Sequence, residues 1–388
     1  MGDQKPSGML SLFFIKIKPY LAIVSLQFGY AGMYILTMVS FKHGISNYVF
    51  VVYRHVVASI VIAPFAFLFE RKIRPKLTPS VFLKVVALGF LEPVIDQDFY
   101  FLGMKKTSAS FASAIVNVLP ALTFILAIIF RLERVNLKQK HSVAKVIGTS
   151  ITLTGATVMT LYKGPILDIL GNSQGRNHHN TTTSTSADQH WATGTIMVLA
   201  STCGWSGFFI LQSITLKQYP APLTLTTLVC LMGILEAGVV ALVMEHDIGA
   251  WALGWDSRLL AVVYSGVVCS GIAYYVQGMV NKERGPVFVT AFSPLCMIIT
   301  AVLGVIVLAE QVHLGSLIGA IVIVSGLYIV VWGKSKDYLI SKGDQKGMPH
   351  ELPIVDSSTR SGSVDGINEE HAKKLKTTTE NNPPLQEP

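Results

Sequence analysis

The chain has 388 residues, 51% of them hydrophobic and only 14% charged, with a formal net charge of +8; soluble chains carry about 25% charged residues. A mean hydropathy of +0.51 is too high for a water-soluble chain of this length, and the basic residues sit in short loops, where they set topology and meet anionic lipid headgroups rather than nucleic acid. Composition therefore excludes a soluble globular protein and requires an all-α, polytopic membrane protein.

Apolar runs of about 20 residues, each long enough as a helix to cross a core of roughly 30 Å, recur ten times. They fall at 19–41, 48–69, 80–103, 108–130, 143–162, 191–213, 223–244, 259–280, 287–308 and 315–333. The first is about twice as long as a signal-peptide core and reads as an uncleaved span. Small-residue stretches such as 108–114 and 315–319 let helices approach closely. Lys5, Lys16, Lys18, Arg71, Lys72, Arg74, Lys76, Arg131, Arg134, Lys138, Lys140, Lys217, Lys282, Arg284, Lys334, Lys336, Lys342 and Lys346 fall on one side. Only Lys42, Lys105, Lys106, Lys163, Arg176 and Arg258 fall on the other, so both termini are predicted to be cytosolic.

This topology makes 1–18 a cytosolic N-terminus and turns the polar linker 163–190 away from the cytosol. Asn180-Thr181-Thr182 in the linker is a glycosylation sequon. His178, His179 and His190 lie among Ser and Thr and read as solvated rather than metal-binding. Residues 334–388, rich in Lys, Glu, Ser, Thr, Asn and Pro, predict a disordered cytosolic tail. Cys203, Cys230, Cys269 and Cys296 lie in apolar runs at no metal-ligand spacing and imply no disulfide framework.

The third run carries the chemistry. Glu92, Pro93, Asp96, Gln97 and Asp98 interrupt a membrane-length apolar segment, where a charge costs roughly 2.5–3.5 kcal/mol on insertion scales and so faces a cavity, a partner or water at the helix end. On an α-helix Glu92 and Asp96 share a face and Asp98 points elsewhere. Pro93 cannot donate a hydrogen bond, so it frees the carbonyl of Gly89 and kinks the helix. Counting residues at 1.5 Å each puts Arg54 of the second run and Asp96 of the third both roughly 6 Å to the outer side of the midplane. Arg54 then either pairs with Asp96 or Asp98 or, with His55, snorkels to the outer headgroups.

An internal repeat divides the chain at the linker. Residues 118–126 correspond to 292–300, so Pro120 matches Pro294 and both predict kinks; 132–137 correspond to 309–314, and Gly148 and Gly155 to Gly319 and Gly326. Two halves of five spans, 19–162 and 191–333, insert with opposite orientation because five is odd. That inverted repeat is the architecture many secondary transporters use to alternate access around a midplane site. Glu236 is a further intramembrane acid and a candidate for coupling. Gln27, Tyr30, Asn117, Trp205, Gln212, Tyr274, Tyr275 and Gln277 supply amides, phenols and an indole suited to ammonium or carboxylate recognition or to helix contacts. No phosphate-cradling loop, nucleophile elbow or metal cluster occurs, so neither an enzyme nor a cofactor is expected.

Several segments together carry a family resemblance: 25–32 (SLQFGYAG), Tyr53-Arg54-His55, 70–76 (ERKIRPK), 91–97 (LEPVIDQ), 160–165 (TLYKGP), 264–275 (YSGVVCSGIAYY), 284–288 (RGPVF) and 332–337 (WGKSKD). The sequence over about 18–337 resembles the plant UMAMIT transporters, the nodulin-21-like, walls-are-thin-related members of the EamA drug/metabolite transporter group. The resemblance implies ten spans in two EamA repeats and the movement of amino acids, often as export, across the plasma membrane. A vacuolar carrier of auxin or another metabolite is the alternative it leaves. A receptor or scaffold acting through its tail is the non-transporting one. In the family pattern Asp98 is normally asparagine.

Overall fold

The computed structural model describes residues 7–42, 44–107, 112, 115–133, 135–136, 138–162, 165–167, 188–308 and 312–347. It divides into a unit of residues 1–339 and a second unit, 340–388, in which only the helical residues 340–347 are described. Asn180, His178 and His179 lie outside the described residues.

The chain runs through α1 (Ser7–Lys42), α2 (Asn47–Glu70), α3 (Pro79–Gly89), a π-helical segment π1 (Phe90–Asp98), α4 (Phe99–Lys106), α5 (Leu119–Ile129) and α6 (Lys140–Leu161). Then follow α7 (Asp188–Gln218), α8 (Pro222–Met244), α9 (Ser257–Tyr264), a second π-helical segment π2 (Ser265–Ile272), α10 (Ala273–Arg284), α11 (Pro286–Ala291), α12 (Ser293–Leu308) and α13 (Leu314–Gly347). A two-residue ribbon pairs β1 (Ile166–Leu167) antiparallel with β2 (Val312–His313), Ile166 opposite His313.

Local chemistry sets the breaks. Thr78 caps α3 by accepting from the Val81 amide at 3.3 Å, and Pro79 in the first turn has no N–H to leave unpaired. Asp256 accepts from the Arg258 amide at 2.9 Å before α9. Gly285 ends α10 at φ 85°, a left-handed conformation that costs glycine little, and Pro286 then starts α11. Glu70, at the end of α2, reaches the start of α8 and accepts from the amides of Leu223 at 3.0 Å and Thr224 at 2.7 Å, two donors that the helix itself leaves open.

Among the described residues eight helices are long and apolar enough to cross a membrane. The run 79–106 is helical throughout as α3, π1 and α4, but its acids keep it outside that apolar set. Only part of the run 108–130 is described, and α5 is its apolar portion. Leu21, Phe28, Phe69, Leu242 and Ile321 point outward, an apolar surface that water does not tolerate and lipid does. The protein is an all-α, multi-pass membrane protein.

Pro120 and Pro294 each follow a short interruption of the helical run, at 117–118 and at Phe292, and each stands in the first turn of the helix that resumes, α5 and α12, where a missing N–H costs nothing. One expectation is corrected. The segment after Trp332 is not disordered from residue 334, because α13 continues to Gly347. Its Lys334 and Asp337 are anchored to Glu133, Lys145 and His141.

Within the bundle, π1 packs against α7 and α8, and α2 lies between α8 and π2. The two π-helical segments thus flank α2 at the level of Arg54.

Candidate functional site

Pro93 has no amide hydrogen to give the Gly89 carbonyl, and the backbone widens from the i→i+4 to the i→i+5 register over Phe90–Asp98. That register decides where the acids point. Gln97, five residues after Glu92, comes to lie over it and its amide Nε2 donates to Glu92 Oε1. Asp96 turns instead to α7, accepting from Ser201 Oγ at 2.8 Å. Glu92 and Asp96 thus take different partners, His55 and Arg54 for Glu92 and Ser201 for Asp96.

Arg54 is buried in the first half of α2. Its Nε donates to Ser270 Oγ at 2.5 Å, Nη1 to Gln97 Oε1 at 3.0 Å and Nη2 to Tyr274 Oη at 3.4 Å. Nη2 lies 3.5 Å from Glu92 Oε1. The counter-charge of Arg54 is thus Glu92, not Asp96 or Asp98. Neither Arg54 nor His55 snorkels: each is enclosed and bonded within the bundle. His55 Nδ1 lies 2.7 Å from the Val51 carbonyl and Nε2 lies 2.9 Å from Glu92 Oε2. A carbonyl only accepts, so Nδ1 carries a proton; the Nε2–Oε2 contact needs a second one, held by the imidazole or by the carboxyl.

A chain of amides continues from Tyr274. Its carbonyl accepts from Gln212 Nε2 at 3.5 Å; Gln277 Nε2 and Asn281 Nδ2 donate to Gln212 Oε1 at 3.5 and 3.2 Å. Tyr30 donates to Gln277 Oε1 at 3.2 Å, and the Trp205 ring stands edge-on to Tyr30 at 6.4 Å. Beside Tyr30, an apolar cavity of about 210 Å³ is lined by Ser25, Gly29, Cys269, Ile272 and Val276 among others.

The remaining candidates stand apart. Gln27 is buried on α1 and Tyr275 is half-buried on α10. Asn117 Nδ2 lies 3.1 Å from Met297 Sδ, joining the turn before α5 to α12. Among the described residues, Asp98 is buried with neither carboxylate oxygen hydrogen-bonded, and Glu236 Oε2 has no hydrogen-bond partner. Glu236 packs on Gly89, where an added Cβ would stand 2.7 Å from Oε2.

Gln97, Ser201, Ser270 and Asn281 are not site candidates from sequence alone, which offers His55 only as a snorkelling side chain. For two of them a signal exists: Ser270, Tyr274, Gln277 and Asn281 recur at spacings of four, three and four, one polar stripe on an otherwise apolar helix. Gln97 becomes visible only once the i→i+5 register is known.

The comparisons agree with this architecture. The model of the EamA-like transporter family matches residues 17–161 and 192–332. WAT1-related protein At4g08300 of Arabidopsis thaliana is 60% identical over 347 residues, covering 89% of this chain and 93% of its own length. WAT1-related protein At1g21890 of the same plant is 58% identical, over 89% and 92%. A solved crystal structure, 17% identical, shares the fold with a TM-score of 0.61 over 81% of this chain and 98% of the other. With a buried charged core, membrane-length helices and two matched segments filling most of its length, the chain belongs to the EamA-like transporter family, beside its plant WAT1-related members, and is a membrane transporter.

Proposed function

We propose that the protein moves amino acids by alternating access, through ten spans arranged as two inverted five-helix repeats, 19–162 and 191–333. The observation that carries this reading is Arg54, a cation buried within the helix bundle and held by groups from both halves of the chain. A substrate carboxylate is the natural competitor of Glu92 for the Arg54 fork. Asp96 and the freed Glu92 face the substrate ammonium, and Tyr30, Trp205, Gln212, Tyr274 and Gln277 bound the path on the other side. Glu236, a further intramembrane acid, is the candidate for coupling. By loop charge the termini are cytosolic, and the plasma membrane is the expected location.

The test is uptake and efflux of labelled glutamine in oocytes at two external pH values, with surface expression measured in parallel. Flux by the wild type that disappears in Glu92→Gln supports the carrier reading and its centre. If surface-expressed wild type moves no amino acid, that reading fails. The vacuolar auxin carrier is then measured in isolated vacuolar membranes.

A further inference from the structure

The two π-helical segments occupy equivalent places in the two repeats. Pro120 and Pro294 are 174 residues apart, and moving Phe90–Asp98 by that distance sets it on 264–272, where Ser265–Ile272 is found. Only the first has a proline to explain it. What the two share is Arg54. Its Nη1 bonds Gln97 in π1, and its Nε bonds Ser270 in π2. Glu92, again in π1, supplies the charge, and Tyr274, just after π2, takes Nη2. The backbone is drawn in as well: a Cβ on Gly266 of π2 would stand 2.7 Å from the Arg54 carbonyl oxygen.

We infer that Arg54 is a clamp, a positioning residue whose planar fork ties the π-helical segment of one repeat to that of the other and keeps both in the wide register. The inference rests on the carrier reading for its role in transport, but not for its existence. A π turn holds about one residue more than an α turn, so return to the α register rotates the side chains beyond it by about one residue step, roughly 100°. Such a rotation carries Gln97 or Ser270 away from the guanidinium. The clamp and the wide register therefore stand or fall together, and a substrate group that takes over the Arg54 fork releases both repeats in one event. Lysine keeps the charge for Glu92 but has no fork to reach Gln97 and Ser270 simultaneously.

Hydrogen–deuterium exchange on the full-length protein in lipid nanodiscs, without substrate, tests this directly. Arg54→Lys is expected to raise amide exchange about tenfold in residues 90–98 and 265–272 together, while 222–244 keeps its wild-type protection. A uniform rise would mark a merely structural residue, a rise in one segment alone would leave the two untied, and no change would leave no clamp; each overturns the proposal. If Arg54→Lys does not accumulate, Ser270→Ala and Gln97→Leu each cut one arm. Each should then loosen both segments, and loosening only its own segment overturns the clamp. Glutamine flux measured on the same preparations separates the failures. Unchanged exchange with intact flux sinks the clamp alone, whereas loosened segments in a protein that moves no amino acid sink only the substrate assignment.

Discussion

At the scale of single residues, the unusual group is Asp98. It is buried at the end of π1, and neither of its oxygens has a hydrogen-bond partner. A buried polar group left unsatisfied costs about 1–3 kcal/mol, and more when charged. Asp98→Leu removes both unsatisfied oxygens while keeping a similar volume, so it is expected to stabilise the protein by about 1–3 kcal/mol, read as a higher melting temperature in nanodiscs. A lower melting temperature would mean that Asp98 holds a cation or partner in the membrane. The same residue shows what the sequence made legible. Spacing on an α-helix predicts that Asp98 points elsewhere than Glu92 and Asp96. That Arg54 seeks a carboxylate also follows, but the choice of Glu92 over Asp96 does not. That choice depends on the i→i+5 register, for which Pro93 is a cause but not a code, since π2 takes the same register without proline.

At the scale of elements, glycine decides how closely the helices approach. A Cβ on Gly148 would stand 2.7 Å from the Val330 amide nitrogen and 2.8 Å from the Gly326 oxygen, and one on Gly319 2.7 Å from the Gly155 oxygen. The glycines that the repeat aligns with one another, Gly148 and Gly155 with Gly319 and Gly326, thus meet across a single seam between α6 and α13. Such backbone contact is how membrane helices associate where no hydrophobic force drives them. Because the atoms in the way are largely backbone, they have no rotamer by which to yield. Gly148→Val is therefore expected to cost about 1–3 kcal/mol, the range for overpacking, and to reduce the folded fraction in detergent. Wild-type melting in Gly148→Val would show that the seam is looser than the structure has it. Sequence spacing marks these glycines as a repeat, and only Gly319 as a packing residue. It does not say that the two copies pack on each other, because repeat symmetry fixes equivalence, not contact.

At the scale of the molecule, the two halves are also joined by an ion network between the ends of two spans and the Glu133 loop. Glu133, in the loop before α6, receives Lys145 Nζ on Oε1 and Lys334 Nζ on Oε2, each at 2.6 Å. Asp337 of α13 bonds Lys145 as well, and its Oδ1 lies 3.0 Å from His141 Nε2. Burial alone would push the Glu133 carboxyl up; the Lys334 and Lys145 ammoniums outweigh it and hold the group below its ordinary value of 4.5. A carboxyl whose folded value is depressed contributes stability that is fully present above its unfolded value. That contribution is lost as pH falls through the folded one. Wild type should thus melt at constant temperature from neutral pH to about 5, then lose the Glu133 contribution in more acid solution. Glu133→Gln removes one anion from a buried lysine that keeps Asp337, so the cost is expected to fall below the range of about 3–5 kcal/mol for a buried charge left wholly unpaired. The melting gap between Glu133→Gln and wild type should therefore be widest at neutral pH and close as pH drops below about 4. A gap that stays constant across that range would show that the glutamate acts by shape and not by charge. The network would then not be what fastens the last helix to the first repeat.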